Sequence, residues 1–144
     1  MRSANLFAPE FDHESEREGY RWKGMRVGRH IGGKQMGASL YELGAGERSY
    51  PYHLHHGIEE WLLVVSGEPV LRSPEGERTL QPGEVVCFPV GPAGAHQVLG
   101  PGRVLIISAS HSPEVVEYPD SGKVGVRPGG TFLAADAVDY WEGE

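Results

Sequence analysis

The chain has 144 residues and a formal net charge of −7, which is room for one domain with a hydrophobic core and too little for two of ordinary size. Its 21 Gly and 11 Pro beside 39% hydrophobic residues suit a compact, turn-rich, mostly β protein. The longest unbroken apolar run is Trp61 to Val65, far below the roughly 18 residues of a spanning helix, and no basic face is segregated for a phosphate backbone, so membrane and nucleic-acid classes are excluded.

Taken in chain order, the amino terminus lacks the apolar core of a secretory signal and runs into Glu10, Asp12, Glu14, Glu16 and Glu18, so a cytoplasmic protein is expected. Apolar and β-branched stretches bounded by Gly, Pro, Asp or Ser then predict strands over 21–27, 38–43, 60–65, 69–72, 78–80, 85–88, 96–99 and 103–109. Between the fourth and fifth lies Ser73-Pro74-Glu75-Gly76-Glu77. There Pro presets one turn dihedral and Gly supplies a positive φ, so a hairpin is expected. No repeat or linker interrupts 20–110, which predicts one continuous core.

Cys87 is the sole cysteine, which excludes an internal disulfide and a Cys-based zinc site. In Val85-Val86-Cys87-Phe88 it reads as a buried small hydrophobe. Trp61-Leu62-Leu63-Val64-Val65 is apolar at both parities, so that strand is expected to be buried on both faces. The cover for its outer face is either the N-terminal segment around Tyr20 and Trp22 or a second copy of the chain. Residues 112–130 hold Pro113, Pro119 and Pro128 and are expected to drape over the core or stay mobile. Over 132–141 a short helix is expected, docked through Phe132, Leu133, Val138 and Trp141 or simply lying on the surface.

Chemistry concentrates in two places. His53 and His55 stand two apart, so in an extended segment both imidazoles leave one face and can converge on an ion at about 2.0–2.2 Å. A Gly-containing bend leads to Glu60, which shares its strand face with Leu62 and Val64. A carboxylate in that apolar row needs a partner, and a divalent cation supplies one. The second place is Gly83 to Leu99, where an apolar strand ends at Pro89, a Gly-rich turn reverses the chain and His96 starts the next strand.

These two clusters resemble the cupin superfamily, whose first motif reads G-x5-H-x-H-x3-4-E-x6-G and second G-x5-P-x-G-x2-H-x3-N. Glu60 stands four residues after His55 and six before Gly67, so it, rather than Glu59, fits the first motif. Six residues instead of five separate Gly46 from His53, four instead of two separate Gly91 from His96, and Gly100 takes the place of the final Asn. The resemblance covers roughly residues 36–110. It implies an all-β, double-stranded β-helix (jelly-roll) barrel with an N-terminal arm over 1–35 and a C-terminal tail over 111–144, all within a single domain of 1–144. It also implies a metal site of His53, His55, Glu60 and His96.

The other candidates read more plainly. His13, His30 and His111 lack partners by spacing, and His56 should face away from its neighbouring ligand. Gly122-Lys123 fails the phosphate-loop pattern, because position 117 is Glu and Val124 follows the lysine. Arg48, Arg72 and Arg103 could orient an anion if they pointed inward, although arginines on strands usually face solvent. Tyr50 and Tyr52 flank the first ligands and either line the pocket mouth or serve packing.

Four protein ligands saturate tetrahedral zinc, whereas six-coordinate manganese, iron or nickel keeps two positions for substrate oxygens. With three neutral imidazoles and one carboxylate, a divalent ion leaves a local charge near +1 that suits an anionic or enolisable oxygen ligand. The reading is therefore a metal-dependent cupin enzyme acting on a small, polar, oxygen-rich metabolite by isomerisation, decarboxylation or dioxygenation, with sugar-phosphate isomerases as the analogy. The alternative is a non-catalytic binding or sensor cupin whose metal braces the barrel. A homodimer is what small cupins of this kind imply.

Overall fold

The computed structural model describes residues 1–144 and is built almost wholly from antiparallel strands. A six-stranded sheet forms one wall, in the order β1 (His13–Arg17), β2 (Tyr20–Met25), β3 (Met36–Leu43), β10 (Gly102–Ala109), β5 (Glu60–Gly67) and β8 (Val85–Phe88). A three-stranded sheet of β7 (Gly76–Thr79), β6 (Val70–Ser73) and β9 (Gln97–Leu99) faces it. A four-stranded sheet of β13 (Thr131–Leu133), β12 (Lys123–Arg127), β11 (Glu114–Tyr118) and β4 (Leu54–His55) completes the barrel. The one α-helical turn, α1 (Val27–Ile31), links β2 to β3. No helix is long and apolar enough to cross a membrane.

The core sits between the six-stranded and three-stranded sheets. Leu43, Leu62, Val64, Val104 and Ile106 from one wall meet Leu71, Leu80 and Val98 from the other, all nearly without solvent exposure. Strand β5 obeys period two: Glu60, Leu62 and Val64 point inward, and Trp61, Leu63 and Val65 point outward. The outward row is only partly covered. Leu63 and Val65 pack beside Leu6, Phe11 and the helical turn's Val27, while Trp61 stays half exposed. Cover thus comes from residues 4–11 rather than from around Tyr20 and Trp22, because Trp22 packs on the inner cluster. Arg103 ties that segment down, pairing with Glu42 and donating to the carbonyls of Leu6 and Phe7.

Three other expectations change. Cys87 is exposed, because β8 is the sheet's edge and its odd positions face outward. Residues 112–130 neither drape nor wander but form the hairpin of β11 and β12, and β11 pairs with β4. The helix over 132–141 does not form. Thr131–Leu133 adds to β12, a 3-10 turn follows at Ala134–Asp136, and Phe132, Leu133, Val138 and Trp141 are exposed rather than docked.

Gly67 ends β5 at a φ of +79°, where a Cβ would lie 2.6 Å from the Gly102 Cα. Only glycine meets both demands. Leu62 lies at the centre of the core with no exposed surface. Leu62→Ala should therefore lower the unfolding free energy by about 2–5 kcal/mol, measured by denaturant titration, whereas Glu75→Ala in the exposed 73–76 turn should change it by less than about 0.5 kcal/mol.

Candidate metal centre

Four side chains from three stretches of chain approach one another. His53 and His96 face each other in an isolated antiparallel bridge, closed by backbone hydrogen bonds from His53 N to His96 O at 3.1 Å and back at 2.8 Å. Two residues on, His55 lies in β4, held against Val116 of β11. Glu60 opens β5, opposite Phe88 of β8. All four are buried or nearly so.

Their ring orientations follow from what each Nδ1 meets. That of His53 contacts the Pro51 carbonyl at 3.0 Å, that of His96 the Gly94 carbonyl at 2.8 Å, and that of His55 the Glu114 carboxylate at 3.2 Å. An Nδ1–H donated to an oxygen acceptor fixes the neutral tautomer whose Nε2 carries a lone pair. Phe88 stacks flat on His96 at 3.7 Å, and a Cβ on Gly94 would strike the Pro89 carbonyl oxygen, so that turn admits no larger residue.

The free nitrogens converge on Glu60. One of its oxygens lies 3.2 Å from His55 Nε2 and 3.4 Å from His96 Nε2, and His53 Nε2 lies 3.1 Å from His55 Nε2. Ligand atoms of His53, Glu60 and His96 all fall within 4.8 Å of one another, a buried group that could hold a metal ion. His55 adjoins this trio. His96 Nε2 is fully buried with no hydrogen-bond partner in the protein, which a metal bond would answer.

The ring centroids stand 4.9 Å apart for His53 and His55, 4.6 Å for His53 and His96, and 6.5 Å for His55 and His96, so His53 lies between the other two.

Burial alone would raise the Glu60 carboxyl, but the close approach of His55 and His96 holds it well below the usual carboxylate range. Burial, reinforced by His96 and His55, pushes His53 down to about 3. His55 is desolvated too, yet Glu60 and Glu114 together raise it.

A cavity of about 310 Å³ opens beside these groups, with Tyr41, Tyr50, Ser108, Tyr118 and Arg127 in its wall. Burial pushes the Tyr50 phenol well up, so it stays a neutral O–H donor, and this hydroxyl has no partner in the protein. Glu59 is exposed and accepts from the Trp61 indole at 2.8 Å, while His56 bonds Glu117 at the surface. Arg72 pairs with Asp120, Arg103 with Glu42, and Arg48 lies over Tyr20; none lines the cavity. Tyr52 lies beneath Arg72 at 4.1 Å, outside it.

Sequence reasoning missed Glu114, Tyr118 and Arg127. All three lie on the hairpin of β11 and β12, whose signal was the β-branched pairs Val115-Val116 and Val124/Val126 around the turn Pro119-Asp120-Ser121-Gly122.

The cupin domain family matches residues 39–110. The chain belongs to the cupin superfamily. Among solved structures, this cupin is similar to a protein of Acidithiobacillus ferrooxidans provisionally described as a sugar phosphate isomerase, at 28% identity and a TM-score of 0.78, over 92% of this chain and 89% of that one. It shares its fold with a cupin described as a sugar phosphate isomerase from Silicibacter pomeroyi (22% identity, TM-score 0.80, 97% and 98% covered). It also shares it with the polyketide cyclase RemF of Streptomyces resistomycificus (19%, 0.62, 79% and 83%). No functionally curated protein matches the chain.

Glu114 is 3% exposed and acts on the site through His55. Glu114→Ala should therefore weaken divalent metal affinity by about 10- to 100-fold, read by competition with a metal-sensitive dye, with the fold retained by circular dichroism. Acid sensitivity carries a sign. Because His53 is held down to about 3 from an ordinary 6.5, the unfolded chain takes up a proton in that window that the folded metal-free protein refuses. Stability should thus fall as pH drops from 6.5 toward 3. In His53→Asn the decline over this window should be shallower, measured by urea unfolding at several pH values.

Proposed function

We propose that this protein is a metal-dependent cupin enzyme, a single domain over 1–144, that isomerises a small sugar phosphate or a closely similar oxygen-rich metabolite. His53, His55, Glu60 and His96 are the proposed ligands of its divalent ion. The observation that carries this reading is the clustering of three imidazole Nε2 atoms, each freed by an oxygen acceptor on Nδ1, with those of His55 and His96 against the buried Glu60 carboxylate and that of His53 against His55. Four protein ligands would close a tetrahedral zinc that only braces the barrel, whereas six-coordinate manganese, iron or nickel would leave positions for substrate, and the adjoining cavity favours the latter.

When bound, the ion would supply Lewis acidity to adjacent carbonyl and hydroxyl oxygens of a sugar. The chain's own residues do the rest. The three histidines and Glu60 bring a net charge of −1, so a divalent ion leaves the pocket able to attract an anion. Tyr50 holds its proton on a phenol oxygen that burial keeps neutral, available to hydrogen-bond a substrate oxygen. A cavity of about 310 Å³ lies at the small end of the usual range for ligand sites, in keeping with a short metabolite.

The half-exposed Trp61 stands beside exposed Val85 and Cys87 at the free edge of the main sheet. We propose that a second copy covers this strip, giving a homodimer. Light scattering at micromolar concentration should give twice the chain mass, falling to one chain mass in Trp61→Glu.

Elemental analysis of protein purified without added metal should find about one manganese, iron or nickel per chain, lost in His55→Ala. Aldose–ketose conversion by the loaded protein, followed across a panel of three- to six-carbon sugar phosphates, tests the reaction. Stoichiometric zinc with no turnover would move the protein to the binding class.

A further inference from the structure

We propose that Arg127 recognises a carboxylate or phosphate group on the molecule that enters the metal cavity, and so sets its specificity for anionic substrates. The inference rests on the function proposed above and deepens it. Strand register provides the first support. In the hairpin of β11 and β12, Glu114 stands opposite Arg127, Val116 opposite Gly125 and Tyr118 opposite Lys123, and directly opposed residues share a face. That face is the cavity's, because Glu114 contacts His55 and Tyr118 stacks on His53 at 6.0 Å.

Arg127 is the only Arg or Lys in the cavity wall that also holds His53, His55 and Glu60. Arg21, Arg72, Arg78 and Arg103 are neutralised by Glu47, Asp120, Glu84 and Glu42, and the unpaired Arg2, Arg17, Arg29 and Arg48 lie outside this cavity's wall. The Arg127 side chain makes no ion pair or hydrogen bond, so its five N–H donors remain for an oxyanion. It shares that wall with Tyr41 of β3 and Tyr118 of β11.

With a divalent ion bound beside Glu60, two positive poles would stand at one small cavity, the ion and the guanidinium of Arg127. A ligand that offers a hydroxyl or carbonyl oxygen at one end and an anionic group at the other satisfies both, and a neutral sugar satisfies only one. Phosphate and carboxylate share this chemistry. They differ in shape and charge, so the test carries both.

Binding is measured by calorimetry on manganese-loaded and metal-free protein, using ribose 5-phosphate against ribose and glucuronate against glucose. In wild type at least one anionic probe should bind about 10-fold or more tightly than its neutral counterpart, and the preferred one names the group. Arg127→Gln should bring that ratio to within about 3-fold, and Arg127→Lys should keep part of it. Both variants should retain full manganese, read from loss of the free-ion electron paramagnetic resonance signal. No preference in wild type, or an undiminished preference in Arg127→Gln, would overturn the proposal. Failure of wild type to take up manganese, iron or nickel would defeat the metal-centred function instead, leaving the anion preference of the metal-free protein to decide the role of Arg127.

Discussion

Two backbone hydrogen bonds between His53 and His96 are the constraint on which the site depends. They join a stretch just before β4 to the start of β9, so two imidazoles far apart in the chain are fixed side by side before any ligand arrives. Everything else is placed relative to that bridge. His55 follows by the period-two alternation of an extended segment, and β4 in turn pairs with β11, which delivers Glu114 to His55. Phe88 ends β8 opposite Glu60 and provides the flat surface on which His96 rests. A preorganised ligand set of this kind avoids the loss of side-chain entropy on metal binding.

The same arrangement carries an electrostatic cost. Glu60 lies at the head of an inward row otherwise made of Leu62 and Val64, where a carboxylate without a partner would be unfavourable. Among protein groups only His55 and His96 reach it. Each of these imidazoles, however, already donates from Nδ1 to another oxygen, and protonating both Nε2 atoms would place two positive rings in a desolvated space. A divalent ion would resolve the conflict, because it would neutralise Glu60 and accept the Nε2 lone pairs while each Nδ1 bond stayed intact. Glu114 adds a second buried carboxylate behind His55, which raises the electron-donating power of that ring.

The barrel and its buried histidine–carboxylate cluster were readable because their signals are local. Strands β3, β5, β6, β8, β9 and β10 coincide closely with apolar runs bounded by turn residues, and His53, His55 and Glu60 follow strand alternation around one bend. What escaped has a physical reason in each case. Glu114 looks like an ordinary surface acid until the pairing of β11 with β4 turns it onto His55, a contact between distant parts of the chain that no local spacing encodes. The three prolines between 112 and 130 suggested irregular backbone, yet Pro119 only opens the turn and Pro113 and Pro128 flank the strands, where no ladder hydrogen bond is required of them. Cys87 was misplaced because an apolar four-residue run does not reveal whether its strand is central or at the edge.

The site thus divides between two kinds of scaffold. The histidine–carboxylate cluster stands on or against the core, where His96 has no exposed surface and His53, His55 and Glu60 have very little, so its geometry is resistant to change. The opposite wall comes from the hairpin of β11 and β12, which lies beyond residues 39–110 matched by the family and carries Arg127 at its exposed end. A rigid centre can hold an ion and polarise an oxygen in much the same way for many molecules. A hairpin joined to that centre through Glu114 and Tyr118 can determine which molecules arrive, because a single side chain on its rim changes the charge of the cavity mouth without disturbing any ligand bond.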